Sequence, residues 1–150
     1  MAPARYGVAG DPVGHSRSPA IHQAAYAALG IVADYQLLPL PTPLFAQTVR
    51  ALPESGFRGI NVTIPHKRAA LELATSASDA ATAIGAANTL TFEHGKIRAD
   101  NTDAPGMLAA LETEPRGKTV LVLGAGGTAR AVLWALAAAG ATTLVWNRTA

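Results

Sequence analysis

Lys118-Thr119-Val120-Leu121-Val122-Leu123-Gly124-Ala125-Gly126-Gly127-Thr128-Ala129-Arg130 is the stretch on which the fold turns. The apolar run 118–123 reads as a buried strand, the glycines break it, and the alanine-rich segment 131–139 reads as a helix ending at Gly140. A strand at 142–146 follows, which makes a strand–turn–helix–strand unit. Gly124, Gly126 and Ala129 fall on the pattern G-x-G-x-x-[G/A] in the context that gives it meaning. Gly124 permits a tight turn, Gly126 lets backbone approach a pyrophosphate, and Ala129 is small enough for close helix-to-strand packing. The turn Gly124, Ala125, Gly126, Gly127, Thr128 and Ala129 is therefore expected to hold a dinucleotide at the helix N-terminus. A site for NAD usually places an acid at the end of the second strand, to take the ribose hydroxyls. Here that place holds Asn147-Arg148-Thr149, and a guanidinium flanked by amide and hydroxyl suits a 2′-phosphate, so NADP is the expected cofactor.

Upstream, the same alternation of strand and helix repeats. Residues 6–10, 34–40 and 59–64 read as strands, and 19–29, 44–52 and 68–74 read as the helices that follow them. That rhythm belongs to a parallel sheet with helices on its faces, whose ligands lie beyond the carboxyl ends of the strands. Gly59-Ile60-Asn61-Val62-Thr63-Ile64-Pro65-His66-Lys67 carries an apolar row, Ile60, Val62 and Ile64, with Asn61 and Thr63 on the other face. Pro65 stops the strand, and an amide, a hydroxyl and the Lys67 amine are left near one strand tip, where they could hold a hydroxylated ligand and move a proton on it. His66 is assigned to the turn. In His15-Ser16-Arg17-Ser18-Pro19, Ser18 is expected to cap a helix with Pro19 at its first position and Ile21, Ala25 and Leu29 along one face. The cap does not account for Ser16, and two hydroxyls beside the free N–H groups of a helix make a seat for a carboxylate.

A polar, Ala/Ser/Thr-rich segment at 75–82 is assigned no element. Residues 85–92, which include Asn88, read as a strand turning at His94-Gly95 into 96–99, a hairpin expected to add an antiparallel edge. Asp100-Asn101-Thr102-Asp103 leads into a helix at 104–111, with Thr102 or Asp103 as its expected cap. The polar loop 112–117 separates this part from the glycine-turn unit.

Composition bounds the function. With 49% hydrophobic and 15% charged residues the chain reads as a soluble globular protein, and a net charge of +2 without a basic run gives no reason to expect nucleic acid or an anionic membrane. There is no cysteine for disulfides or thiolate chemistry, and His15, His22, His66 and His94 are scattered without ligand spacing, so no metal is expected. The N-terminus lacks the apolar core of a secretory signal and no run is long enough for a membrane helix, which points to the cytoplasm.

Taken together the motifs resemble the shikimate dehydrogenase family: Ser16-Arg17-Ser18-Pro19, residues 61–67, Gly85-Ala86-Ala87-Asn88-Thr89, residues 100–103, the glycine turn, and Asn147-Arg148-Thr149, in that order and over residues 6–149. The resemblance implies an α/β protein: a mostly parallel N-terminal substrate domain, 1–101, then the first βαβ unit of a Rossmann NADP-binding domain, 102–150, with the active site in the cleft between them. It implies that Ser16 and Ser18 hold a substrate carboxylate. Asn61, Thr63, Asn88 and Asp103 would hydrogen-bond ring hydroxyls, and Lys67, also in contact with substrate, would act catalytically beside Asp103. The implied reaction is the reversible NADPH-dependent reduction of 3-dehydroshikimate to shikimate, with a homodimer as a further expectation. Two alternatives stand beside it: a quinate/shikimate dehydrogenase of the same family, and a non-catalytic module that binds metabolites of that pathway. The chain stops two strands into the cofactor domain, so a longer enzyme is expected.

Overall fold

Short aliphatic segments punctuated by glycine and proline settle into alternating strands and helices, and the computed structural model describes residues 3–148. In chain order they are β1 (Ala4–Gly10), α1 (Ser18–Leu29), β2 (Ala33–Pro39), α2 (Thr42–Ala51) with a 3-10 turn (Leu52–Ser55), β3 (Gly59–Val62), α3 (Lys67–Leu73), β4 (Ser76–Ala77) and α4 (Asp79–Ile84). Then come β5 (Thr89–Glu93), β6 (Lys96–Asp100), α5 (Asp103–Ala110), β7 (Thr119–Leu123), α6 (Gly127–Ala138) and β8 (Thr142–Trp146). Six strands form one sheet in the order β2-β1-β3-β5-β6-β4, and β7 with β8 forms a separate parallel pair. β1 runs parallel to β2 and β3, β4 runs parallel to β6, and the hairpin contributes the antiparallel pairings β3–β5 and β5–β6. The hairpin turns at His94 (φ 50°) and Gly95 (φ 73°), the two positive values that its tight turn needs.

Two faces of the large sheet bury different sets of side chains. Ile60 and Val62 of β3, Leu90 and Phe92 of β5 and Ile97 and Ala99 of β6 meet Phe45 and Val49 of α2 and Ala70 of α3 in the main core. On the other face, Val8 and Tyr35 pack with Val13, Tyr6 and Tyr26 under α1. The pleat thus commits Asn61 and Thr89, neighbours in register, to the face opposite the main core.

Several sequence expectations are corrected. β3 ends at Val62, two residues early, and Ile64 is 67% exposed, because the chain has already turned toward α3. The strand expected from residue 85 begins at Thr89; Gly85 closes α4 in a left-handed conformation, and Ala86 and Ala87 are buried in the connection. The segment 75–82 holds β4 and the start of α4, with the Ser78 hydroxyl accepting from the Ala81 N–H as a cap. Two residues of strand and six of helix show no readable period. The hairpin lies inside the sheet, since β4 covers β6. The N-cap of α1 is Arg17, and Ser18 is its first residue; His22 and Tyr26 face the sheet while Ile21 and Leu29 are exposed. β7, expected to be buried, is covered on one face by α6, and Leu121 and Leu123 are exposed.

Leu90 is fully buried at the centre of the sheet, paired with Ile60 on one side and Ala99 on the other. Leu90→Ala should lower the unfolding free energy by about 2–5 kcal/mol in a denaturant titration, the range for a core cavity. A change below about 1 kcal/mol would show that this position is not the core of the sheet.

Candidate active site

The sheet topology gathers polar residues at one end. β1 and β3 are parallel, so the chain leaves both at that end, toward Ser16 and Ser18 in one case and Thr63 to Lys67 in the other. β5 runs antiparallel to β3 and so starts there, behind Asn88, whereas β6 finishes there, ahead of Asn101, Thr102 and Asp103. Residues far apart in sequence therefore meet because strands of alternating direction share an edge.

Lys67 is at the centre of this group. It is the first residue of α3, and its Nζ donates to Asp103 Oδ2 at 2.6 Å and to Thr128 Oγ1 at 2.8 Å. An ammonium has three donors, so one remains for a ligand. Asp103 Oδ1 accepts from Asn88 Nδ2 at 2.8 Å, which leaves the carboxylate held from both sides. Asp103 does not cap α5: its carboxylate is spent on Lys67 and Asn88, while its own N–H donates to Asn101 Oδ1 at 3.1 Å. Asn101, 2% exposed, also donates to the Ala86 carbonyl at 2.9 Å and so fixes the segment carrying Asn88. His66 points the other way, as expected from its place in the turn. It is 1% exposed, stacks on Phe45 at 4.3 Å, and donates from Nε2 to the Leu40 carbonyl at 2.6 Å.

Ser16 and Ser18 come together as the helix-terminus argument requires. Ser16 Oγ lies 3.1 Å from Ser18 Oγ and accepts from the Ser18 N–H at 3.2 Å. Thr63 packs its methyl where a side chain on Gly10 would sit, since a Cβ there would come within 2.5 Å of Thr63 Cγ2. A cleft of about 650 Å³ is lined by Thr63 and Lys67 on one wall and by residues 122–130 on the other. The serines do not line that cleft. Ser18 connects to Asn61 through Tyr35, whose hydroxyl donates to Asn61 Oδ1 at 2.7 Å.

The glycine turn opens this cleft toward Lys67. α6 begins at Gly127, four residues earlier than the alanine run suggested, with no acid in its first turn and no side-chain cap. Gly124 has φ 121°, and a Cβ on Gly124 or Gly126 would meet no protein atom within 4 Å, so the open space beside the helix N-terminus suits a phosphate. At Gly127 a Cβ would stand 3.1 Å from Lys67 Cβ and Cδ, so the missing side chain lets the turn press against the lysine. Parallel pairing sets the ends of β7 and β8 side by side, with the Gly124 N–H donating to the Trp146 carbonyl at 2.8 Å. This puts Asn147 and exposed Arg148 next to the turn; Thr149 lies outside the described residues.

Sequence reasoning missed three polar members of the site. Thr89 donates to Asn88 Oδ1 at 2.9 Å, Thr102 exchanges hydrogen bonds with Asn88, and Tyr35 holds Asn61. Burial pushes the Tyr35 phenol up to about 12, Tyr26 adds to the rise, and a hydrogen bond with Ser18 opposes it. The available signal was register: Thr89 sits opposite Asn61 once β3 and β5 pair antiparallel.

Comparison with known proteins gives the family. Residues 8–90 match the family described as shikimate dehydrogenase substrate binding domain. A curated relative, the shikimate dehydrogenase (NADP(+)) of Methylobacterium radiotolerans, is 51% identical over all of this chain and 56% of its own. The crystal structure of shikimate dehydrogenase from Aquifex aeolicus superposes with TM-score 0.93 at 39% identity, covering 98% of this chain and 56% of that one. The Thermus thermophilus shikimate 5-dehydrogenase in complex with NADP(H) and shikimate gives 0.89 at 41% identity, covering 97% and 56%. The chain thus spans about half the length of the relatives it matches. A polar cluster at the strand ends, a glycine turn against its lysine and a match over more than half the residues place this chain in the shikimate dehydrogenase family.

Proposed function

We propose that the intact protein is an NADP-dependent dehydrogenase acting on a CH–OH group, interconverting shikimate and 3-dehydroshikimate, with residues 1–101 as its substrate-binding domain and 102–150 as the start of its cofactor domain. One observation carries the reading: the Lys67 amine is shared between Asp103 at 2.6 Å and the glycine turn, through Thr128, at 2.8 Å. A proton source and a dinucleotide turn thus meet at one cleft. The relative from Thermus thermophilus, in complex with NADP(H) and shikimate, supports the choice of ligands.

In this reading Ser16 and Ser18 receive the substrate carboxylate, and Asn61, Thr63 and Asn88 hydrogen-bond the ring hydroxyls. Gly124 to Ala129 hold the pyrophosphate, and Asn147, Arg148 and Thr149 take the 2′-phosphate. NADPH, when bound, supplies the hydride. The carbonyl oxygen that becomes an alkoxide needs a proton, and the Lys67 ammonium first donates a hydrogen bond to it and then the proton. Asp103 keeps the amine in place, while Asn88 stops the carboxylate from turning away. The reading extends to a cytoplasmic homodimer, supported by the composition and by exposed Ile21, Leu29, Ile31 and Val32 along and just after α1.

Assay of the intact protein with shikimate and quinate, each with NADP and NAD, should give its highest kcat/KM for shikimate with NADP. Preference for quinate or for NAD would transfer the assignment to the quinate/shikimate branch, and no turnover with any pair would reject it. Lys67→Ala should lower kcat by roughly 10²–10⁴-fold, the usual worth of a general acid, with a much smaller change in KM. Unchanged turnover would remove Lys67 from the chemistry.

A further inference from the structure

Tyr35 belongs to no motif, yet it is fixed as firmly as any residue of the site. It is 3% exposed, its ring stacks on His22 of α1 at 4.0 Å with an interplanar angle of 13°, and its hydroxyl donates to Asn61 Oδ1 at 2.7 Å. His22 is bound in turn, Nδ1 lying 2.9 Å from the Ser18 carbonyl. The phenol thus stands between the helix that carries the serines and the strand that carries Asn61.

The hydrogen bonds beyond Asn61 all run in one direction. Asn61 Nδ2 donates to Thr89 Oγ1 at 3.4 Å, Thr89 donates to Asn88 Oδ1 at 2.9 Å, and Asn88 Nδ2 donates to Asp103 Oδ1 at 2.8 Å. The far end is set by groups with no choice: the Thr102 N–H can only donate and fixes Asn88 Oδ1, and an ionised Asp103 can only accept. The near end is held by the phenol, whose O–H donates to Asn61 Oδ1 at 2.7 Å. An amide can rotate end for end at little cost unless its neighbours specify which end is oxygen. For Asn61 the Asn88 carbonyl, which can only accept, marks the nitrogen end, and Tyr35 holds the oxygen end with the shorter bond. Nδ2 has two long bonds, 3.5 Å to the Asn88 carbonyl and 3.4 Å to Thr89 Oγ1, so the short bond from Tyr35 is the one that anchors the amide.

We infer that Tyr35 is a positioning residue for substrate: its O–H heads the chain of donors that ends on Asp103 and anchors the Asn61 amide by its oxygen. The inference rests on the proposed function only for the identity of that ligand. In the intact protein Tyr35→Phe, which keeps the ring and its stacking, should raise KM for shikimate about tenfold, the scale of one well-placed hydrogen bond, with kcat within about twofold and KM for NADP unchanged. Asn61→Ala should then cost much less in the Tyr35→Phe background than alone, because the two substitutions disable one element. An unchanged KM, additive effects, or parallel loss of kcat, both KM values and the thermal midpoint would overturn the inference, the last by making Tyr35 a packing residue only. If the wild-type protein does not turn over shikimate, the functional reading fails, and the inference is decided by the Asn61 side-chain amide resonances. In Tyr35→Phe they should move and exchange faster with solvent, and unmoved signals would overturn it.

Discussion

The contact between Lys67 and Asp103 is the constraint on which the site depends. Two opposite charges, their side chains 13% and 23% exposed, have given up much of their water and must be repaid by geometry. The surroundings supply it: Asn88 holds the second carboxylate oxygen, Thr128 takes another donor of the amine, and Asn101 fixes the backbone that presents Asp103. None of these partners is near Lys67 in sequence. The sheet brings them together, because a hairpin inserted between β3 and β4 puts the start of β5 and the end of β6 beside the end of β3. An antiparallel hairpin in a mostly parallel sheet is therefore the device that builds the site, and it does so because β5 pairs directly with β3.

The second unit meets the first through the absence of side chains as much as through bonds. Gly127 lies so close to Lys67 that a methyl group there would crowd the stem of the lysine, and Thr128, one residue on, receives its amine. The open glycine turn is thereby also the turn that touches the Lys67 amine, through neighbouring residues of one helix start.

Much of this was legible in the sequence, for reasons that differ by residue. The places of the glycine turn and of Arg148 could be read because they are set locally: the turn opens α6 and Arg148 follows β8 within one strand–helix–strand unit. Ser16 and Ser18 could be read because a helix terminus is itself a local anion site, although the cap falls on Arg17. Register and short elements were hidden. Ile64 breaks its apolar row by turning out of the strand, α4 is too short to show a period, and the inward face of α1 is His22 and Tyr26, with Ile21 and Leu29 outside. Tyr35 and Thr89 gain their roles only from pairing across strands, which no periodicity reveals.

The central claim is spatial, so it is tested most directly by a crystal structure of the intact protein with NADP and shikimate bound. The account predicts the carboxylate on Ser16 and Ser18, and the oxidised hydroxyl within hydrogen-bond distance of Lys67 Nζ, on the side facing the glycine turn. Shikimate seated elsewhere, or with that hydroxyl beyond the reach of Lys67 while the cofactor is in place, would contradict it.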